Sequence, residues 1–121
     1  NRYKWNNERL IKNLKINTSK QSAFYNEMTN LIKIRRKQKA FHPNAQRKNL
    51  NFGSKFYAIE RLSLDKSQKI LAITNLTSKT QVLKINSKYL KSKNLLSQKL
   101  NITFDKELVF NPFQTFWLSI N

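Results

Sequence analysis

Lys69-Ile70-Leu71-Ala72-Ile73-Thr74-Asn75-Leu76 reads as a β-strand, rich in aliphatic and β-branched side chains and bounded by turn residues. On its N-terminal side, Leu64-Asp65-Lys66-Ser67 is a turn, and Lys55 to Leu62 (KFYAIERL) is a preceding strand. On its C-terminal side, Thr77-Ser78-Lys79 is a second turn, and Gln81 to Ile85 a third strand. Farther out the pattern loosens. Asn49-Leu50-Asn51-Phe52 leads into Gly53, Asn94-Leu95-Leu96 is loosely patterned, and Ile102-Thr103-Phe104 and Leu108-Val109-Phe110 are short. Phe113 to Ile120 closes the chain, with Phe116, Leu118 and Ile120 on one face and Thr115, Trp117 and Ser119 on the other. Short strands joined by short turns, with no helix between them, predict an antiparallel sandwich or barrel-like sheet.

Upstream of Pro43 the period is helical. Asn6-Asn7 can cap a short helix carrying Leu10, Ile11 and Leu14. Asn17-Thr18-Ser19 breaks it and offers the next cap. From Gln21 to about Lys39, Phe24, Met28, Leu31, Ile32 and the Arg35 stem fall at i, i+4, i+7, i+8 and i+11, one stripe along a long helix. Lys and Arg crowd its last turns, where the helix dipole favours cations, and Pro43-Asn44 is expected to stop it. Residues 1–43 are thus read as helical and residues 44–121 as an antiparallel β domain, with no internal repeat and no linker between them.

The chain has 121 residues, no Cys and one His, His42. A disulfide framework, a thiolate metal site and a Cys nucleophile are excluded, and one His leaves little for a Ser–His–acid triad. No apolar run approaches the roughly 18 residues of a membrane span, and no signal peptide is visible, so a cytoplasmic protein is expected. The chain opens on Asn1 and its one methionine, Met28, sits inside a helical pattern, which reads as a piece of a longer protein. The formal charge of +18 would suggest a polyanion partner. Composition argues otherwise. Phe, Tyr, Met, Ile, Asn and Lys make up 57 residues and Gly, Ala, Arg and Pro only 14, the mark of AT-rich codons. Lys residues run from Lys4 to Lys106 and are read as a solvated surface.

Chemistry-bearing residues are sparse. Glu8, Glu27, Glu60, Asp65, Asp105 and Glu107 are all the carboxylates, and none forms a pair recognisable as acid and base. Gly53 stands alone, so no glycine-rich loop cradles phosphate. Ile34 to Lys39 could be a basic patch, but it closes a helix where cations are expected. Trp5, Tyr57 and Trp117 could stack on sugars, yet aromatics in such patterns are more often core, and each is read as core. The glycosylation-type triplets at Asn17, Asn75 and Asn101 mean little in a chain with 16 Asn. No cofactor and no metal site is expected.

One stretch goes beyond composition. Leu31 to Asn44, with Ile34-Arg35 and then Ala40-Phe41-His42-Pro43-Asn44, resembles the end of the last barrel helix in sucrose phosphorylases and their relatives in glycoside hydrolase family 13. Asn1-Arg2-Tyr3 is similar to an Asn-Arg-His/Tyr segment ahead of that helix. Phe56-Tyr57-Ala58-Ile59-Glu60-Arg61 and Ile70 to Thr77 resemble strands of the family's C-terminal sheet. Asn94-Leu95-Leu96-Ser97 resembles an Asp-Leu-Leu-Ser-Gly segment, with Gln98 where the glycine would stand. Val109 to Leu118 resembles a motif ending in Pro-Tyr/Phe-Gln-x-x-Trp-Leu.

The resemblance implies an α+β fragment: the last helical segment of a (β/α)₈ barrel over residues 1–43, then an all-β antiparallel C-terminal domain over residues 44–121. It implies a parent that moves glucose from sucrose or a related glucoside to phosphate with retention, through a glucosyl–carboxylate intermediate. The catalytic carboxylates would precede Asn1, so this chain alone would be inactive. One residue carries over: Arg2, implied to reach the floor of the glucose pocket and pair with an aspartate. The partners implied are the glucoside and phosphate, with no specific nucleic acid and no membrane. Two alternatives stand beside this reading. A basic nucleic-acid-binding domain would gather its cations on one face. A carbohydrate-binding β domain would expose two or more aromatics on one flat face.

Overall fold

The computed structural model describes residue 4 and residues 6–120. The chain forms two compact units, one up to Arg35 and one from Arg36 onward.

The first unit holds α1 (Asn7–Lys15) and nearly all of α2 (Lys20–Arg36). Asn6 caps α1 as its spacing predicts, its side-chain oxygen accepting from the Arg9 amide at 3.1 Å. Ser19 does the same for α2, accepting from the Ser22 amide at 3.0 Å. The end of α2 corrects the expected boundary. The helix stops at Arg36, well before Pro43, and Gln38 is extended. The Ala40 amide is taken by Gln68 Oε1 at 3.1 Å in place of a helical carbonyl. Tertiary hydrogen bonding, not proline, ends the helix.

The second unit opens with a 3₁₀ turn, Lys39–Phe41, and then builds two antiparallel sheets. Its elements are β1 (Gln46–Leu50), β2 (Phe56–Leu62), β3 (Lys69–Asn75), β4 (Gln81–Leu83), α3 (Ser87–Leu90), β5 (Lys93–Asn94), β6 (Asn101–Ile102), β7 (Leu108–Phe110) and β8 (Thr115–Ile120). One sheet runs β1-β2-β3-β8-β5 and the other β4-β7-β6. Register sets Leu71 opposite Leu118 and Ile73 opposite Phe116. These four side chains are at most 1% exposed, and Leu108 and Phe110 of the second sheet join them in the core. The Phe110 ring lies 4.9 Å from Phe116 and 5.1 Å from Phe56. Each such side chain contributes about 1.5–3 kcal/mol of burial, which makes this cluster the main source of cohesion in the unit.

The chain has one glycine, so its turns place other residues in the left-handed region: Lys66, Ser97, Lys106 and Phe113 all have positive φ. Gly53, at φ +86°, takes the β1–β2 turn. Two strand-face expectations need correction. Tyr57 is 56% exposed, and Trp117 is half-buried on the outer face of the sheet, not in the core.

Candidate functional site

The sequence segments that carry the family resemblance meet one another in space. Arg61 of β2 donates through Nε to the Ala40 carbonyl at 3.1 Å and through Nη2 to the His42 carbonyl at 2.6 Å. Phe41 packs edge-on against Trp117 of β8, ring centres 4.9 Å apart. Gln68 holds the Ala40 amide and also donates to Gln38 at 2.8 Å and to Ser119 at 3.3 Å. Ala40 itself is fully buried. The Ala-Phe-His segment is therefore clamped onto the sheet by residues of two other motifs.

Asn75 organises a second junction. It is fully buried, and its side-chain amide donates to the Lys79 and Asn111 carbonyls at 2.8 and 3.0 Å. Its oxygen accepts from the Thr77 amide and hydroxyl, both at 2.9 Å. Its backbone amide reaches the Gln114 carbonyl at 2.9 Å. One side chain thus ties the β3–β4 turn to the β7–β8 turn. The same burial takes the Asn75 triplet out of reach of glycosylation.

Asn94 organises the third. It donates to the Gln98 carbonyl at 2.9 Å and accepts from the Leu96 and Trp117 amides at 3.3 and 3.2 Å. Ser97 in this loop takes the left-handed region, at φ +60°. The loop closes without glycine because Asn94 satisfies its backbone from inside.

The carboxylates do structural work. Asp65 Oδ2 pairs with Lys39 at 2.7 Å, while Oδ1 accepts from the Ser63 and Ser67 hydroxyls at 2.7 Å and the Ser67 amide at 3.0 Å. The Lys39 ammonium first, then the serine donors, hold its pKa well below the usual range. Glu60 accepts a hydrogen bond from the Tyr89 hydroxyl and pairs with Lys69 at 3.4 Å. Burial pushes its pKa up, and the Tyr89 and Lys69 contacts more than offset that, leaving it lowered. Burial first, and then Glu60, push the Tyr89 phenol up. Among the described residues no group of three His, Cys, Asp or Glu could hold a metal ion. Among them, too, no helix is long and apolar enough to cross a membrane.

Of the residues singled out from sequence, Arg2 and Trp5 lie outside the described residues. Tyr57 and Trp117 share the outer face of the large sheet. Tyr57 stands opposite Thr74, whose hydroxyl bonds that of Thr115 at 2.8 Å, and Trp117 stands opposite Ala72. Tyr57 is open to solvent, while Phe41 covers one edge of Trp117. Arg61 and Gln68, which clamp the Ala-Phe-His segment, had no signal in spacing.

No protein-family model matches the chain, and no curated protein does. Solved structures do. AmyP, crystallised in complex with maltose, superposes with a TM-score of 0.63 at 15% identity over 82% of this chain and 20% of its own. A MUTB mutant, from crystals soaked with trehalulose, gives a TM-score of 0.63 at 16% identity over 91% of this chain and 19% of its own. Both are glycoside hydrolase family 13 enzymes. At this identity the likeness is one of fold. The chain has the architecture of the all-β C-terminal domain of those enzymes with a helical segment before it. It spans about a fifth of the length of the structures it resembles.

Proposed function

We propose that residues 1–121 are the C-terminal part of a retaining α-glucosyl phosphorylase of glycoside hydrolase family 13. Residues up to Arg35 close its catalytic barrel, and residues from Arg36 onward, which include the clamped Ala40-Phe41-His42 segment, form its β domain. The observation that carries the reading is the clamp joining Arg61, Trp117 and the Ala40-Phe41-His42 segment. Segments that resemble the family's separately in sequence prove to be mutual contacts in space, and the fold is that of family 13 enzymes.

In this reading the nucleophile, the acid/base and a stabilising aspartate belong to the barrel. The nucleophile displaces the leaving sugar to form a β-glucosyl ester, the acid protonates the leaving oxygen, and phosphate then takes glucose as α-glucose 1-phosphate. None of the six carboxylates here takes part. Arg2 is the residue of this chain that serves the reaction, its guanidinium fixing a barrel aspartate under the glucose by a bidentate fork. Inorganic phosphate as co-substrate goes with a cytoplasmic site of action. The cations stand on α1, α2, β1, β2, β3 and α3 alike, which supports a solvated surface over a nucleic-acid site.

The test is Arg2→Ala in the full-length polypeptide. Glucose 1-phosphate formation falls by a transition-state loss on the order of a few kcal/mol, and Arg2→Lys does not rescue it. Near-normal turnover in Arg2→Ala would remove Arg2 from the glucose pocket.

A further inference from the structure

The core-facing side of the large sheet changes character along its length. Register and alternation put Leu50, Ala58 and Ile73 on that side, all in or against the apolar core. The same side continues through Lys48 and Glu60 to Lys69. There Gln46, Arg47, Lys48, Glu60, Leu62 and Lys69 line a cavity of about 420 Å³. That volume falls within the roughly 300–1,000 Å³ of small-molecule pockets.

The charges of this cavity do not balance. Glu60 is the one carboxylate in its lining. Lys69 pairs with it at 3.4 Å, and the two side chains are 34% and 18% exposed, lysine first. Tyr89 of α3 donates its hydroxyl to the same carboxylate, and Lys88 is near enough to act on its charge. Lys48 stands directly opposite Glu60 in the ladder. Neither Arg47 nor Lys48 has an ion-pair partner among the described residues. Four cations thus surround one carboxylate that Lys69 and Tyr89 already hold. Codon drift scatters lysines over outward surfaces, but it does not gather them on the side of a sheet that carries the core. One inward lysine on an edge strand is an ordinary guard against pairing with another chain. Lys69 needs a different reason, because β3 lies inside the sheet between β2 and β8.

We infer that this cavity binds a phosphate group, as inorganic phosphate or as the head of a small phosphate ester. A phosphate group carries a charge of about −1.5 to −2 at pH 7 and several strong acceptor oxygens. Lys48 and Lys69 supply ammonium donors, Arg47 a guanidinium and Gln46 a neutral amide. Glu60 anchors Lys69 and Tyr89 at the wall of the site. The bounded cavity suits one compact anion, whereas a nucleic acid needs a run of cations along its backbone.

Hydrogen exchange of the full-length polypeptide reads the site locally. The probes are inorganic phosphate and α-glucose 1-phosphate, with chloride at matched ionic strength. Phosphate at about 1–10 mM is expected to slow the amides of residues 45–50 and 86–90 at least about threefold, and chloride to leave them unchanged. Lys48→Gln is expected to abolish the effect and Lys48→Arg to keep it. Lys48 is exposed, so its variants keep the fold, and unchanged exchange of β3 and β8 without phosphate checks that. Protection at lower concentration by α-glucose 1-phosphate would assign the ester, and by inorganic phosphate the free ion. Equal protection by chloride would overturn the inference. So would protection by neither probe, or protection that survives Lys48→Gln combined with Lys69→Gln. The readout is independent of phosphorolysis. Protection in a protein that makes no glucose 1-phosphate keeps this site and retires the phosphorylase reading alone. Its absence in an active phosphorylase retires the site alone.

Discussion

Asn75 and Asn111 stand 36 residues apart in sequence and are joined by a 3.0 Å hydrogen bond from the Asn75 side-chain amide to the Asn111 carbonyl. The same buried side chain serves the Lys79 carbonyl and both donors of Thr77. Asn75→Leu would remove these hydrogen bonds and put an apolar side chain where a buried polar one joins the two turns. A loss of about 2–4 kcal/mol is expected in urea unfolding of the chain, at the upper end for a single buried polar change. A loss below about 0.5 kcal/mol, the range of surface changes, would mean that water replaces the asparagine at no cost.

Leu118→Ala tests the core. Leu118 is fully buried and stands opposite Leu71 in the ladder. The expected cost is about 2–5 kcal/mol, transfer plus cavity. Tyr57→Ala on the outer face, measured by the same unfolding experiment, should cost far less. Equal losses would mean that the two faces are wrongly assigned.

These residues also show what the sequence makes legible. β2, β3 and β8 stand out because each has a face that must be buried, and their apolar period is visible without partners. β1 was hidden: Gln46-Arg47-Lys48-Asn49-Leu50 is an edge strand, exposed except at Leu50, and only its pairing with β2 makes it a strand. α3 was hidden too, since its four residues are too few for a period and are fixed by the Asn86 cap and the Tyr89–Glu60 contact. The end of α2 was misplaced because the hydrogen bond that ends it comes from Gln68, 28 residues past Ala40. Asn75 and Asn94 were legible as motif letters, but their work became visible only with the turns they join. The catalytic chemistry was never legible here, because an acid pair is what announces it and the chain has none.

The Glu60–Tyr89 pair predicts pH dependence at both extremes. Glu60 has a lowered pKa in the folded chain, so its contribution is present above its ordinary 4.5 and is lost as pH falls through the folded value. Tyr89 has a raised pKa, so its contribution is complete below its ordinary 10.0 and is lost as pH rises toward the folded value. Stability measured by urea unfolding should therefore decline on both sides. Glu60→Gln should flatten the alkaline limb, and an unchanged limb would show that the phenol titrates independently of Glu60.

Lys106 occupies the left-handed region at φ +61° in an exposed turn. Glycine adopts that conformation without the Cβ clash, so Lys106→Gly should stabilise the chain by about 0.5–1 kcal/mol. Thermal unfolding of the variant reads this, and a lower midpoint would show that the Lys106 side chain has a role of its own.

Charge predicts weak, sequence-blind binding of the chain to duplex DNA, lost by about 150 mM salt as counterion release loses its advantage. Titration against two unrelated duplexes at rising salt checks it. Tight binding that discriminates between them would contradict a solvated, drift-derived surface.

Phosphorolysis by the full-length polypeptide tests the proposed function at its root. The most direct measurement is product analysis of the full-length polypeptide with sucrose at increasing phosphate. The expected product is α-glucose 1-phosphate, formed with retention and rising with phosphate to saturation, with no product from residues 1–121 alone. Free glucose released at a rate indifferent to phosphate, or glucose 1-phosphate of the β form, would contradict it.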